Sequence, residues 1–149
     1  RQGIPIIDQK KYASAKNLEK GAYILSDSEG QPDIILIATG SEVQLILAAQ
    51  SELKGKNIQA RAVSMPCWNL FDKQSAAYKE KVFPKNIRKR LAVEAGSPIG
   101  WMKYTTDDGD MIGIEKVGES APGEEVMKEY GFTVENVMKR AMTLLSKKE

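Results

Sequence analysis

Two short apolar segments on either side of an amphipathic one constrain the fold of this chain more than any other feature. Residues 33–38 (DIILIA) and 60–65 (ARAVSM) are mostly apolar, and the first of them is rich in β-branched isoleucine. A strand that is apolar on both faces belongs at the centre of a sheet that is covered on both sides. Between the two segments, apolar residues recur at the spacing of one helix face: Val43, Ile46, Leu47 and Leu53. The pattern therefore predicts a strand–helix–strand unit with parallel strands.

The alternation of strand and helix signals continues along the chain. Strands are also predicted over 22–27, 90–94 and 111–114, and helices over 75–83, 97–104, 122–130 and 134–145. Such alternation is typical of a mainly parallel sheet with helices on both faces. The strand at 22–27 joins the next one by a short turn, so we predict that it is antiparallel. The expected fold is a three-layer α/β domain with about five strands, one of them an antiparallel edge strand.

Composition excludes several classes of function. The 149 residues include 22 basic and 20 acidic ones, and a net charge of +2 gives no reason to expect a nucleic acid or an anionic membrane as a partner. The chain has no histidine and a single cysteine, Cys67. This excludes a histidine-based catalytic triad, a histidine-ligated zinc and an internal disulfide within the chain. Its apolar runs, such as residues 34–38, are too short to span a membrane, so we expect a soluble chain. The lack of an internal disulfide fits a reducing compartment, so we expect the cytoplasm.

The turn after the first central strand is the strongest candidate for a binding site. Thr39, Gly40 and Ser41 follow the carboxyl end of that strand, where open α/β sheets usually bind ligands, and the N–H groups of the next helix could hold an anion. A single glycine falls short of a phosphate-binding loop, however, and Glu42 would repel a phosphate. We favour the simpler interpretation, in which Ser41 caps the helix and Glu42 stabilises its dipole. The turn at 118–122 (GESAP) is interpreted in the same way.

Several stretches, taken in order, resemble the C-terminal domain of transketolases. They are IILIATGSEV at 34–43, ARAVSMP at 60–66, FDKQ at 71–74, VEAG at 93–96, W-x-KY at 101–104, GESAP at 118–122 and GFT at 131–133. Related thiamine-dependent enzymes share this domain fold but not the FDKQ and GESAP stretches, so the resemblance is specific. It covers essentially the whole chain. It implies that residues 1–20 lead in from a preceding domain and that residues 21–149 form the C-terminal α/β domain.

The resemblance implies a function that the chain serves only within a larger enzyme. Transketolases transfer a two-carbon ketol unit between sugar phosphates in the pentose phosphate pathway, using thiamine diphosphate and Mg²⁺ or Ca²⁺. In that family the cofactor lies between the two preceding domains of opposing subunits of a dimer. We therefore expect no catalytic residue, metal site or cofactor site in this chain, whose role would be architectural. Its partners would be those preceding domains and the dimer partner.

One residue is an exception to this architectural role. Arg1 and Gln2 match the end of a Ser-Arg-Gln stretch of the family, in which the arginine binds the phosphate of the sugar substrate. A guanidinium suits this task because its planar fork can bind two phosphate oxygens at once. The resemblance thus predicts that Arg1 binds substrate phosphate in the parent enzyme only.

Two other interpretations are open on the sequence alone. The chain could be a stand-alone α/β module that binds an anion or nucleotide at the Thr39–Ser41 turn, or one that docks another protein. A thiamine-binding domain encoded directly before Arg1 would favour transketolase, whereas a start codon there would favour an independent module. For a domain taken out of a larger enzyme, we also expect an exposed apolar surface at Trp68, Leu70 and Phe71, which we interpret as part of a turn.

Overall fold

Five strands form one mixed sheet in the order β1-β3-β2-β4-β5. In the computed structural model, which describes residues 4–115 and 123–147, the strands are β1 (Tyr23–Ser26), β2 (Ile34–Ala38), β3 (Ala60–Ser64), β4 (Arg90–Val93) and β5 (Asp110–Ile112). β2 pairs in parallel with β3 and β4, and β4 pairs in parallel with β5. β1 pairs antiparallel with β3 at one edge. The predicted α/β fold, with about five strands and one antiparallel edge strand, is confirmed.

Helices cover both faces of the sheet. They are α1 (Val43–Gly55), α2 (Trp68–Asp72), α3 (Ala76–Val82), α4 (Met102–Thr105), α5 (Gly123–Glu129) and α6 (Val134–Ser146), and Ala15–Lys20 and Gly40–Glu42 form short 3₁₀ helices. α1 and α6 pack on one face against Ile34, Leu36 and Ala38 of β2. α2, α3 and α4 cover the other face, against Ile35 and Ile37. This explains why β2 is apolar throughout: alternate residues enter two different cores.

Local signals account for the starts of two helices. The Ser75 hydroxyl accepts a hydrogen bond from the N–H of Tyr78 at the start of α3, and the Thr133 hydroxyl accepts one from the N–H of Asn136 at the start of α6. α1 ends at Gly55, and Asn57 just beyond it takes the left-handed conformation, with φ of 59°. None of the helices among residues 4–115 and 123–147 is long and apolar enough to cross a lipid bilayer.

The segment between β3 and α3 differs from the prediction. The expected turn contains helix α2, and Phe71 is only 3% exposed because its ring packs edge-on against that of Phe83, 5.4 Å away between centroids. Trp68 is half-buried and packs edge-on against Trp101 at 5.1 Å. Leu70 is exposed. The prediction of an exposed surface is therefore wrong for Phe71, since a helix of five residues is too short to show its buried face as a periodic pattern.

Two later elements are shorter than predicted. α4 covers Met102–Thr105 rather than 97–104, and β5 covers Asp110–Ile112 rather than 111–114. Gly100 explains the late start of α4, because its φ of +89° is incompatible with a helix. A Cβ at Gly100 would lie 2.8 Å from the Trp68 ring, so this close approach also requires glycine.

Two buried arginines at the amino ends of β3 and β4 bind the carboxyl end of α3. Arg61 donates hydrogen bonds to the carbonyl of Lys81 at 2.7 Å and to the Asp27 carboxylate at 2.7 Å. Arg90 donates to the carbonyls of Phe83 and Pro84, at 3.4 and 2.8 Å. The last carbonyls of a helix have no partner within the helix and carry its negative dipole end. The two guanidinium groups therefore stabilise the end of α3 and fix it to the sheet.

Candidate functional site

The carboxyl ends of β2 and β4 meet at the point where the strand order reverses. From β2 the chain crosses through α1 to β3 on one side, and it then passes to β4 on the other side of β2. Open α/β sheets usually bind ligands in the crevice outside such a point. The structure places the predicted Thr39–Ser41 turn at this crevice, together with residues 94–96, which follow β4.

Glu42 is buried in the crevice, at 3% exposure. The Ser41 hydroxyl donates a hydrogen bond to its Oε1 at 2.5 Å, and the N–H of Ala95 donates one to its Oε2 at 3.4 Å. No side-chain hydrogen bond caps the 3₁₀ helix at Thr39 or α1 at Glu42. The interpretation of Ser41 as a helix cap is therefore wrong, because its hydroxyl binds the Glu42 carboxylate instead.

Glu94 brings a second carboxyl group to the same crevice. Its Oε2 is buried and has no hydrogen-bond partner among the described residues. Burial raises the pKa of Glu94, and the negative charge of Glu42 raises it further. Sequence reasoning missed this pair, since it treated Glu94 only as the end of a strand. The available signal was an acidic residue directly after a buried strand, at the edge where Glu42 lies.

A hydrogen-bonded network on the α2–α4 face joins two segments that are about thirty residues apart in sequence. Asp72 accepts hydrogen bonds from the Lys103 ammonium at 2.6 Å and from the Tyr104 hydroxyl at 3.1 Å. The bond from Lys103 holds the pKa of Asp72 below its usual range, although burial opposes this shift. Burial, followed by the bond to Asp72, raises the pKa of Tyr104. The 71–74 and 101–104 stretches thus form one structural unit.

The sequence of this chain matches a known protein family. A family model described as the transketolase-like C-terminal domain matches residues 21–133, which is most of the chain. The chain belongs to the transketolase C-terminal domain family. The network between Asp72 and Lys103 lies within the matched range, as do both carboxyl groups of the crevice.

Individual transketolases show how the chain relates to whole proteins of this family. It is 49% identical over 148 residues to the transketolase of Bacillus subtilis, a match that covers 99% of the chain and 22% of the relative. The solved structure of a transketolase variant from Pichia stipitis aligns with a TM-score of 0.86 at 37% identity, over 98% of the chain and 20% of that structure. A Pichia stipitis transketolase in complex with sedoheptulose-7-phosphate aligns with a TM-score of 0.82 at 38% identity, over 91% and 19%. The chain spans about a fifth of the length of these relatives.

Other sites predicted for this transketolase domain fall on different parts of the chain. Arg1 and the 118–122 turn lie outside the described residues. Among the residues that are described, no three histidine, cysteine, aspartate or glutamate side chains come together in a way that could hold a metal ion. Glu42 and Glu94 are therefore a pair of carboxyl groups with no third such side chain beside them among those residues.

Proposed function

We propose that this chain is the C-terminal part of a transketolase, which transfers a two-carbon ketol unit between sugar phosphates. In this proposal residues 1–20 lead in from a preceding domain and residues 21–149 form the C-terminal domain. The observation that carries the proposal is the family match over residues 21–133, supported by 49% identity to a whole transketolase. The parent would be a cytoplasmic, dimeric transferase of the pentose phosphate pathway.

The chain would serve this enzyme as an architectural domain and contribute no catalytic group. The complete sequence has no histidine, and the described residues do not provide the ligand set of a metal site. Thiamine diphosphate with Mg²⁺ or Ca²⁺ would be bound by the preceding thiamine-binding domains and the dimer partner. An anion site at Thr39, Gly40 and Ser41 stays a prediction, and the buried Glu42 carboxylate beside it disfavours an anion there.

Within the parent enzyme, we propose that Arg1 binds the phosphate of the sugar substrate. Changing Arg1 to Ala in the full-length protein should weaken the transition-state binding of phosphorylated substrates by about 1.5–3 kcal/mol, as expected for a hydrogen bond to a charged group. Unphosphorylated substrates should react at nearly the wild-type kcat/KM, because the lost contact is to phosphate. Equal losses for both kinds of substrate would show that Arg1 has another role.

The proposed function is tested by assaying the full-length gene product for ketol transfer from a ketose phosphate to an aldose phosphate, with thiamine diphosphate and Mg²⁺ supplied. We expect transfer by the full-length protein and none by the 149-residue chain alone. Calorimetric titration of the chain with thiamine diphosphate and Mg²⁺ provides the matching binding experiment, in which we expect no heat of binding. Saturable cofactor binding to the chain would contradict its architectural role, and an inactive full-length protein would contradict the proposed reaction.

A further inference from the structure

An open cleft of about 1000 Å³ lies between α3, α4 and the segment that leads into β4. This volume is at the upper end of the range of small-molecule sites, which is about 300–1,000 Å³. Five basic side chains line it, against the two carboxylates of Asp72 and Glu80. The basic residues are Lys79, Lys85, Arg88, Arg90 and Lys103. The cleft is at the amino end of β4, away from the crevice that contains Glu42 and Glu94.

Arg90 lies at the bottom of this cleft and is 6% exposed. Its guanidinium donates hydrogen bonds to the carbonyls of Ile87, Tyr104, Phe83 and Pro84. The described residues place no carboxylate within ion-pair distance of it. Burial and the neighbouring Arg88 lower the pKa of Arg90 to about 10, so it stays charged at neutral pH. Carbonyl oxygens carry only partial charges, and a net positive charge therefore remains at the bottom of the cleft.

The basic side chains at the rim differ in how far they are already neutralised. Lys103 pairs with Asp72, and Arg88 pairs with Asp107 and Asp108 outside the cleft. The ammonium groups of Lys79 and Lys85 form no ion pair with any described residue. These two lysines are therefore the rim cations that remain available for a ligand.

We propose that this cleft binds a small organic anion that carries two or more phosphate or carboxylate groups. One group would face Arg90, and another would bind Lys79 and Lys85 at the rim. Hydrogen bonds between ionised groups are about twice as strong as neutral ones, and water screens the buried Arg90 less than it screens an exposed charge. The volume is that of a small-molecule site, whereas protein interfaces are usually larger, and this favours a small molecule over a protein segment.

The proposal is tested by titrating the ¹⁵N-labelled 149-residue chain with inorganic pyrophosphate and, separately, with citrate. Pyrophosphate and citrate distinguish a phosphate ligand from a carboxylate ligand. Inorganic phosphate is titrated for comparison, because it carries only one phosphate group. We expect saturable amide shifts confined to residues 76–90 and 102–106. The double substitution Lys79→Ala with Lys85→Ala should raise the Kd about tenfold, which corresponds to about 1.4 kcal/mol. Lys139→Ala is the matched control, because Lys139 is an exposed lysine of α6 on the opposite face of the sheet.

Three results would overturn the proposal. The first is the absence of saturable shifts in the cleft with both probes. The second is an equal loss of binding in the control variant and the double variant, which would indicate general attraction to a basic chain. The third is tighter binding of a short polyglutamate peptide than of either small anion, which would identify the cleft as a docking surface for an acidic protein segment.

Discussion

Substituting Glu94 by Gln should stabilise the protein, and the gain should depend on pH. The Oε2 atom of Glu94 is buried without a hydrogen-bond partner among the described residues, and burial, followed by the charge of the Glu42 carboxylate, raises the pKa of Glu94. Ionised Glu94 therefore has no donor at this oxygen among the described residues, and it repels the Glu42 carboxylate. Glutamine has nearly the same shape and no charge, so it relieves the repulsion while leaving the packing in place.

The sign of the effect follows from the raised pKa. A carboxyl group whose pKa is higher in the folded than in the unfolded state favours folding below the unfolded-state value, which is about 4.3 for glutamate. That contribution is lost as the pH rises through the folded-state pKa. An unsatisfied buried polar group costs about 1–3 kcal/mol. Because Glu94 is only half-buried, we expect Glu94→Gln to gain about 1 kcal/mol at neutral pH and nothing in acid, where the wild-type group is neutral.

Urea unfolding at a series of pH values between about 4 and about 8 measures this difference. The tryptophan fluorescence provides the signal, since Trp101 is buried and Trp68 is half-buried in the folded chain. Glu52→Gln is the matched control, since Glu52 is an exposed carboxylate of α1. The control should change the free energy of unfolding little at any pH.

Two outcomes would refute the reasoning. A gain of equal size at both ends of the pH range would mean that ionisation of Glu94 is not its cause. A loss of stability above neutral pH would mean that the Glu94 carboxylate accepts a hydrogen bond from a donor outside the described residues.

Two further predictions concern the α2–α4 face. Gly21→Ala should destabilise the fold by about 1–3 kcal/mol in urea unfolding, because the backbone at this position is left-handed. A new Cβ would also lie 2.3 Å from backbone atoms of residues 67 and 71, whereas Gly30→Ala, with open space around it, should be nearly neutral. Asp72→Asn should cost less than about 1 kcal/mol, since its ion pair is largely exposed. It should lower the pKa of Tyr104 in a spectrophotometric titration, and an unchanged pKa would contradict the role assigned to Asp72.

The fold could be predicted from the sequence where burial leaves a continuous or periodic pattern. β2 and β3 are buried at every position, and the apolar face of α6 recurs over 13 residues. Helix α2 has five residues, so it shows less than two turns of any pattern. Its burial depends on Phe83 and on the missing side chain of Gly21, which only the folded chain brings together.

The candidate site could be located from the sequence, but its chemistry could not. The rule that ligands bind at carboxyl ends of strands identified the Thr39–Ser41 turn. From the sequence, Glu42 is interpreted only as stabilising the dipole of its helix, and its burial is not predicted. Glu42 and Glu94 are 52 positions apart, and their proximity depends on the pairing of β2 with β4. No local sequence pattern indicates that β2 pairs with β4.

The two ends of the central strands carry side chains of opposite charge, and this affects where an anion can bind. Glu42 and Glu94 lie at the carboxyl edge of the sheet, whereas Arg61 and Arg90 lie at the amino ends of β3 and β4. In many α/β proteins the carboxyl edge attracts anions, because the amino ends of helices meet there. In this domain two carboxyl groups oppose that attraction, while one arginine at the other edge has no carboxylate partner among the described residues. An anionic ligand should therefore prefer the cleft at Arg90 to the Thr39–Ser41 turn, and the pyrophosphate titration compares the two directly through the amide shifts at each position.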